Sequence, residues 1–342
     1  MNPEHRPTIR SLAQTLGVSR TTISEALRGH PRVNQATRER VQACAKAAGY
    51  RFNPLASSIL SEVRRTRLST FHGVLATVGL EEPSRIPFPG AYWRDLLRGA
   101  QERGAELGFK LEHFVVGQRG LTVKRLDTIL RSRGIRGVLI MPAWNRPDFT
   151  QLNWTNYTGV YADYLMDQPG LSSVCPDHPR GMGVAMARLQ ELGYKRPGLV
   201  LLQQESTRLE HRWLASFLAY LHQHPEMASL PPLVLPEVKA DLFKRWFRKH
   251  RPDAVVGHRA EMVGWMRECG ARVPETHGFC CLNIGLNAQS CAGLDQRPYH
   301  VGVRAIELVI SQIHQNIYGI PELPSNTTVP AQWVDGPTLR RR

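Results

Sequence analysis

The sequence predicts a multi-domain α+β chain: an all-α helix-turn-helix head, followed by a two-lobed α/β domain built on doubly wound parallel sheets. Two observations lead to this prediction. A short helical hairpin pattern lies near the amino terminus, and beyond residue 70 apolar strands alternate with helices. The length agrees, because 342 residues exceed one small domain and can bury a sizeable core.

Residues 8–28 predict two short helices joined by a tight turn. One face of the first helix collects apolar residues at helical spacing: Ile9, Leu12, Ala13 and Leu16. Gly17 supplies the turn, since glycine adopts a left-handed backbone at little cost, and Ser19 can cap the second helix. The same spacing occurs in ordinary helical hairpins, but the second helix of such a unit also fits the major groove of DNA.

Basic side chains are concentrated in the first 70 residues. The chain has 44 Lys and Arg against 29 Asp and Glu, and its first 70 residues have 12 against 4. This local excess favours a polyanionic partner such as double-stranded DNA. In the remainder of the chain, a solvated charged surface explains much of the excess.

Several classes of protein lack support in the sequence. The six cysteines form no CxxC pair and no zinc spacing with histidine, so we expect no metal site. No phosphate-cradling glycine motif, GxSxG or HExxH occurs, so we expect no enzyme and no cofactor. No apolar run reaches transmembrane length, and the first residues lack a signal-peptide core. We therefore expect a cytoplasmic protein without membrane contact.

The alternation beyond residue 70 is typical of βαβ units and a parallel sheet. The predicted strands are residues 72–78, 110–116, 137–141, 157–162, 197–202, 233–235, 253–257 and 279–282. The predicted helices are residues 91–107, 121–133, 180–192, 210–222, 242–250 and 261–269. The pattern runs through twice, which predicts two lobes with a ligand cleft at the carboxyl ends of their strands.

Three segments of the head follow one another at a known spacing: Val18-Ser19-x-x-Thr22-Ile23-Ser24, Thr37-Arg38-x-Arg40-Val41 and Gly49-Tyr50-Arg51-x-Asn53-x-Leu55-Ala56. They closely resemble the lactose/purine repressor (LacI-type) family of bacterial transcriptional regulators. Looser matches continue through Asp177-x-x-Arg-Gly, Pro252-Asp-Ala-Val-Val and Ala292-Gly-Leu-Asp-Gln296. The resemblance therefore extends over most of the chain.

The resemblance implies a domain organisation. Residues 1–53 would form the DNA-binding head, residues 54–69 a hinge helix and linker, and residues 70–342 a periplasmic-binding-protein-like domain for effector binding and dimerisation. Within that domain, the N-lobe would comprise about residues 70–165 and 292–322. The C-lobe would comprise about residues 166–291 and 323–342.

The resemblance also implies a function: a sequence-specific transcriptional regulator, most consistent with a repressor, acting as a homodimer on a pseudopalindromic operator. A small effector, a sugar or a sugar derivative, would bind between the lobes. The alternative is a solute-binding or enzymatic α/β protein with an accessory DNA-binding head.

Carried over to this sequence, the family's DNA contacts fall on seven residues: Ser19, Arg20, Thr21, Thr22, Glu25, Ala56 and Ile59. The Arg20 guanidinium can donate two hydrogen bonds to the edge of a guanine, and the Thr21 hydroxyl can donate or accept a hydrogen bond. Glu25 departs from the family; it can accept from cytosine N4 or pair with Arg28. In the hinge, Ile59 stands where relatives insert an apolar wedge into the minor groove, and Ala56 is small enough for close helix approach.

The effector contacts implied by the family fall on six residues: Tyr92, Trp93, Asp163, Arg212, His258 and Asn283. The aromatic pair Tyr92-Trp93 would stack on the ligand, although helix packing is a serious alternative for Trp93. Where the family commonly has Asn-Asp, this chain has His258-Arg259, and Asn283 replaces an aspartate. A sugar acid and a neutral sugar both remain open.

Overall fold

A computed structural model of the chain describes residues 9–27, 33–48, 72–81, 90–143, 148–163, 168–237 and 239–340. The chain divides into two compact units, one comprising residues 1–70 with Gln312–Ile317 and the other comprising the rest. In the described part of the chain, no helix combines the length and the apolar character needed to cross a membrane.

Within the described residues, the head contains three helices: α1 (Ile9–Leu16), α2 (Arg20–Leu27) and α3 (Gln35–Ala47). The helix-turn-helix prediction is confirmed, because Gly17 joins α1 to α2 with a left-handed backbone, φ +67°. Asn34 caps α3 by accepting from the Thr37 amide at 2.8 Å. Apolar side chains from all three helices form one small core: Leu12, Ala13, Ile23, Ala26, Val41 and Ala45, with Val33 before α3.

The second unit contains twelve strands within the described residues: β1 (Gly73–Leu80), β2 (Phe109–Val116), β3 (Gly137–Ile140), β4 (Thr158–Ala162), β5 (Ser172–Pro176), β6 (Pro197–Leu202), β7 (Leu233–Leu235), β8 (Ala254–Gly257), β9 (Gly278–Cys281), β10 (Ala292–Asp295), β11 (Asn326–Val329) and β12 (Gln332–Val334).

Helices connect these strands: α4 (Gly90–Glu106), α5 (Val123–Ser132), α6 (His178–Glu191), α7 (Gln203–Arg208), α8 (Arg212–Gln223), α9 (Ala240–His250), α10 (Met262–Glu268) and α11 (Pro298–His314). The single helix predicted over residues 210–222 therefore begins later and is preceded by the short α7. Glu210 and His211 both have positive φ, which interrupts the helical path between α7 and α8.

The strands form two six-stranded sheets, one in each lobe. The first has the order β11-β5-β4-β3-β1-β2, and all its pairs are parallel. The second has the order β12-β10-β9-β8-β6-β7, and only β12 runs antiparallel. The two-lobed prediction is thus confirmed. Reversals of strand order beside β1 and β6 create the crevices where such sheets bind ligands.

The chain crosses between the lobes at positions that differ from the expected boundaries. Strand β5 pairs with β4 and β11 in the first sheet, so the N-lobe extends to Pro176 rather than to residue 165. Strand β10 pairs with β9 in the second sheet, and β11 returns to the first. The expected boundaries differ because β5 and β10 were not predicted as strands: both are short and carry weak apolar patterns. Their backbone groups nevertheless complete the hydrogen-bond ladders of the two sheets.

Helices α4 and α11 pack with their backbones in direct contact. A Cβ atom on Gly99 would stand 2.0 Å from the Tyr299 carbonyl oxygen, and one on Gly302 would stand 2.0 Å from the Leu96 carbonyl oxygen. Each glycine therefore faces the backbone of the opposite helix, where no side chain fits. This contact fixes α4, which carries Tyr92, against the rest of the N-lobe.

We expect Gly302→Ala to lower the stability of the second unit by about 1–3 kcal/mol, because the added methyl group forces α11 away from α4. The matched control is Gly183→Ala in α6, where an added Cβ meets no atom within 4 Å. That change should raise stability by up to about 1 kcal/mol through helix propensity. Melting temperatures test both variants, and a Gly302→Ala protein as stable as the parent contradicts the packing argument.

Candidate functional site

The amino-terminal end of α2 is the candidate nucleic-acid-facing part of the head. The exposed Ser19 hydroxyl oxygen accepts from the Thr22 amide at 3.0 Å, and the two hydroxyl oxygens lie 2.9 Å apart. The predicted cap is therefore confirmed. Glu25 lies one turn further along α2 and is partly exposed.

The other predicted DNA contacts extend beyond what the structure describes. Arg20 and Thr21 belong to the first turn of α2, but their side chains are outside the described part of the chain. Arg28, Ala56 and Ile59 are outside the described residues altogether. Their roles stay predictions.

The candidate ligand site is a cleft between the two sheets of the second unit. Twelve described residues surround it: Tyr92, Asp163, Pro176, His178, Glu205, Arg208, Leu209, Trp213, His258, Asn283, Leu286 and Gln296. In the first sheet, Asp163 comes directly after β4 and His178 lies two residues beyond β5. In the second sheet, His258 follows β8 and Asn283 follows β9. The carboxyl ends of both sheets thus converge on an enclosed space of about 20 Å³.

A larger groove of about 710 Å³ lies beside the cleft, but its charged groups are already engaged. Arg98 donates to Asp95 at 3.0 Å, and Asp295 accepts from the Arg297 amide at 2.7 Å. The cleft instead holds buried polar side chains with unused hydrogen-bonding atoms. We therefore regard the cleft as the candidate ligand site.

Four of the six residues predicted to contact the effector surround the cleft: Tyr92, Asp163, His258 and Asn283. The structure places Trp93 elsewhere, with its ring edge-on to His113 at a centroid distance of 4.9 Å. The reason is helical geometry, since neighbouring residues of α4 point about 100° apart and cannot both face the cleft.

Arg212 also lies outside the lining of the cleft. Its guanidinium is 3.4 Å from Glu210 Oε2, at the partly exposed start of α8. Arg208, one turn earlier in the chain, supplies the guanidinium of the cleft. The positive-φ residues between α7 and α8 account for this difference, because they redirect the chain before Arg212.

Arg208 and Asp163 connect the two lobes across the cleft. Arg208 Nη1 donates to the Asp163 carbonyl oxygen at 3.2 Å and lies 3.7 Å from the carboxylate Oδ2. Burial raises the pKa of Asp163, while Arg208 and the Tyr92 hydroxyl act in the opposite direction. The guanidinium thereby offsets part of the cost of burying this carboxylate.

Trp213 lies between two buried histidines, both of which meet its ring edge-on. The ring centroids are 4.9 Å from His178 and 5.9 Å from His258. Burial lowers the pKa of His178 well below its usual range, and Arg208, His258 and Arg212 lower it further. Burial also lowers the pKa of His258, against the opposing effect of Glu205. Both imidazoles are therefore neutral near pH 7.

Glu205 is a second buried carboxylate, with only 4% of its surface exposed. Its Oε2 lies 3.4 Å from His258 Nδ1, and its Oε1 lies 3.8 Å from Arg259 Nη2. Neither contact is a hydrogen bond, and within the described residues both oxygens lack a hydrogen-bond partner. An unmade hydrogen bond of a buried polar group costs about 1–3 kcal/mol, so this carboxylate is poised for a ligand.

Other buried polar atoms around the cleft share this property in the described part of the chain: Asn283 Oδ1, Gln296 Oε1, Trp213 Nε1, His178 Nδ1 and His258 Nδ1. The Gln296 amide is oriented by its own bond, because Nε2 donates to the Leu282 carbonyl oxygen and leaves Oε1 free. Unused donors and acceptors that converge on one space are the arrangement expected of a small-molecule site.

Asn287 holds two of the cleft loops together from behind. Its side-chain nitrogen lies 2.9 Å from the His258 carbonyl oxygen and 3.1 Å from that of Asn283, and donates to them. Its side-chain oxygen accepts from the Ala260 amide at 2.8 Å. The loop after β8 and the loop after β9 are thus joined through one side chain, which fixes the spacing of His258 and Asn283.

Sequence reasoning missed five polar or aromatic residues of the cleft: His178, Glu205, Arg208, Trp213 and Gln296. His178 and Gln296 follow strands that were not predicted, and Glu205 and Arg208 lie on the unpredicted α7. A useful signal was available, since Glu205 and Arg208 lie three and six residues beyond the predicted strand 197–202 and share one helical face at i, i+3.

Comparisons with known proteins agree with this architecture. The sequence model of "Bacterial regulatory proteins, lacI family" matches residues 8–53. That of "Periplasmic binding proteins and sugar binding domain of LacI family" matches residues 81–320, which is more than half of the chain. The chain therefore belongs to the LacI family, a class of transcriptional regulators rather than of enzymes.

One curated relative is the HTH-type transcriptional regulator CelR of Thermobifida fusca, 28% identical over 199 residues, which are 57% of this chain and 56% of CelR. The chain spans about half the length of the first curated relatives it matches. A solved CelR–cellobiose complex covers 97% of this chain and 100% of its own, at TM-score 0.60 and 20% identity. A lac repressor dimer bound to operator and the anti-inducer ONPF covers 98% of this chain and 99% of its own, at TM-score 0.56 and 18% identity. At these identities the two structures are evidence of the fold.

We expect His178 to make the second unit less stable in acid. Because its folded-state pKa lies below its unfolded value of about 6.5, the unfolded chain binds more protons as the pH falls through that value. Stability should be fully present above pH 6.5 and decrease below it. Melting temperatures measured from pH 7.5 to 5.5 should fall more steeply in the parent than in His178→Asn. Equal pH dependence contradicts this prediction.

We expect Asn287→Ala to cost about 1–3 kcal/mol of stability, because it leaves the Ala260 amide and two loop carbonyls without their partner. It should also weaken ligand binding in the cleft, since His258 and Asn283 are no longer held at a fixed spacing. Gln289→Ala is the control, as Gln289 is exposed on the same loop. Thermal unfolding and ligand titration together test the prediction, and equal behaviour of the two variants would refute it.

Proposed function

We propose that this protein is a sequence-specific DNA-binding transcriptional regulator, acting as a repressor, whose operator affinity changes when a small carbohydrate binds between its lobes. One observation carries the proposal: a single chain joins a capped helix-turn-helix to a cleft rich in unused buried polar atoms. Membership of the LacI family supports the same function.

In the proposed mechanism, α2 enters the major groove. Arg20 and Thr21 contact base edges, and the Ser19 and Thr22 hydroxyls contact phosphates, which suits their position at the helix start. Glu25 accepts from a cytosine amino group or pairs with Arg28. Residues 54–69 form the hinge, in which Ile59 wedges into the minor groove beside the small Ala56.

We further propose that the protein acts in the cytoplasm as a homodimer on double-stranded operator DNA, without membrane contact. The solved lac repressor is a dimer in its operator complex, and its fold resembles that of this chain. A two-fold symmetric dimer reads two half-sites, so the proposed operator is pseudopalindromic.

Tyr92, Asp163, His258 and Asn283 are the proposed effector contacts among the residues chosen from the sequence. The solved CelR neighbour contains cellobiose, which makes neutral mono- and disaccharides, with cellobiose among them, the first panel to test. A ligand that binds only the folded protein raises its melting temperature.

The experiment begins by selecting binding sites from random-sequence DNA with the full chain. We expect one pseudopalindromic sequence to emerge and its affinity to change in the presence of a panel sugar that also raises the melting temperature. Failure to enrich any sequence would overturn the proposed function.

We expect Arg20→Ala to weaken binding to the selected operator by about 1–3 kcal/mol and to relax the preference at one base position. The physical reason is the loss of a bidentate bond to a guanine edge. Binding titrations on the operator and on random DNA measure both effects.

The control is Lys46→Ala, which removes one exposed positive charge from the end of α3. It should leave the base preference unchanged. Equal losses of Arg20→Ala on operator and random DNA would instead make Arg20 a phosphate contact.

A further inference from the structure

The cleft contains two carboxylates with different surroundings. Asp163 is engaged by Arg208, which lies 3.7 Å from its Oδ2 and donates to its carbonyl oxygen. Glu205 has Arg259 and His258 within 4 Å but receives a hydrogen bond on neither oxygen from the described residues. Glu205 is therefore the carboxylate with unused accepting capacity.

The unused atoms of the cleft are mostly acceptors. Both Glu205 oxygens, Asn283 Oδ1 and Gln296 Oε1 can only accept, whereas Trp213 Nε1 and the Nε of the neighbouring Arg259 can only donate. The free Nδ1 atoms of His178 and His258 can do either, according to tautomer. A complementary ligand must bring several donors to one side of the cleft, and hydroxyl groups supply them.

The positive charges of the cleft are already balanced by its own carboxylates. Arg208 faces Asp163, and Arg259 faces Glu205 at 3.8 Å. Both histidines have lowered pKa values and add no charge near neutral pH. A ligand carboxylate or phosphate would meet four acceptor atoms, two of them on the charged Glu205, and both described guanidinium groups near them already face a carboxylate.

We propose that Glu205 determines the specificity of the cleft: its two oxygens accept from neighbouring hydroxyls of a neutral polyhydroxylated ligand and exclude analogues that carry a carboxylate or phosphate. This inference rests on the proposed function, because it concerns the ligand of the same cleft. It selects the neutral sugar over the sugar acid, which the sequence alone left open.

The test compares neutral sugars with their charged counterparts on the parent protein. Glucose, galactose and any disaccharide that raises the melting temperature are titrated beside glucuronate, galacturonate and glucose 6-phosphate, with glucosamine as the cationic probe. We expect at least one neutral sugar to bind and its acidic or phosphorylated counterpart to bind at least tenfold more weakly. A charged counterpart that binds as well, glucosamine as the tightest ligand, or no binding by any neutral sugar overturns the proposal.

Glu205→Gln then tests the residue itself. It should weaken binding of the neutral sugar at least tenfold and reduce the discrimination against the uronate, a ratio that a purely structural role would leave unchanged. Glu191→Gln is the matched control, since Glu191 is an exposed carboxylate of α6 paired with Arg188 at 2.8 Å. Neutral-sugar affinity within twofold of the parent in Glu205→Gln overturns the proposal.

Operator binding by the same preparations separates this inference from the proposed function. If operator binding is intact but the preference for neutral over charged sugars is lost or reversed, Glu205 is rejected as the selecting residue. The proposed function as a transcriptional regulator is then unaffected. Should Glu205→Gln fail to fold, Glu205→Asp keeps the charge on a shorter stem and should show intermediate affinity with the parent's selectivity. The comparison of neutral and charged ligands on the parent protein needs no variant.

Discussion

The constraint on which the second unit depends is the burial of polar groups at the carboxyl ends of two facing sheets. Parallel strands bring many chain segments to one edge, and here they place carboxylates, imidazoles and amides in a space of about 20 Å³. Each unmade hydrogen bond costs about 1–3 kcal/mol. The apolar layers of both sheets offset this cost, since Val138 and Leu139 in the first sheet and Leu199 and Phe279 in the second are fully buried.

Charge is distributed very differently in the two units. The first 70 residues have an excess of eight basic side chains, as a polyanion-binding surface requires. The cleft is close to electrical balance, because Asp163 faces Arg208, Glu205 faces Arg259, and the histidines are held neutral by burial. The net positive charge of the chain therefore indicates the kind of partner that the head binds, but it does not indicate the charge of the ligand that the cleft binds.

The sequence was informative wherever local chemistry decides the structure. Gly17 and Ser19 occupy the turn and the cap expected of them, because these positions depend on backbone conformation and nearby amides. Tyr92, Asp163, His258 and Asn283 were identified through the family resemblance, and they lie at or near the ends of recognisable strands or on the helix that follows one. Their convergence in the cleft follows from the parallel sheets.

The remaining cleft residues depend on tertiary structure that a local pattern does not carry. Strand β5 has the sequence Ser172-Ser-Val-Cys-Pro176, whose alternation is weak, and it exists because the edge of β4 and strand β11 pair with it. Missing β5 concealed His178. The rotation of α4 about its axis determines which of the adjacent residues Tyr92 and Trp93 faces the cleft. An error of a single residue in the predicted helix boundary is enough to exchange their orientations.

The small volume of the cleft has a consequence for regulation. A space of about 20 Å³ holds about one water molecule, far less than the roughly 300–1,000 Å³ of typical small-molecule sites. The sugar binding proposed above therefore requires an arrangement of the second unit in which the cleft is wider. Because Arg208 and Asp163 join the lobes across the cleft, widening it changes a buried ion pair. A ligand that interacts unequally with the two arrangements shifts their populations by that difference in affinity. In the cleft, the proposed ligand acceptors thus lie next to the Arg208–Asp163 contact through which ligand binding can be transmitted between the lobes.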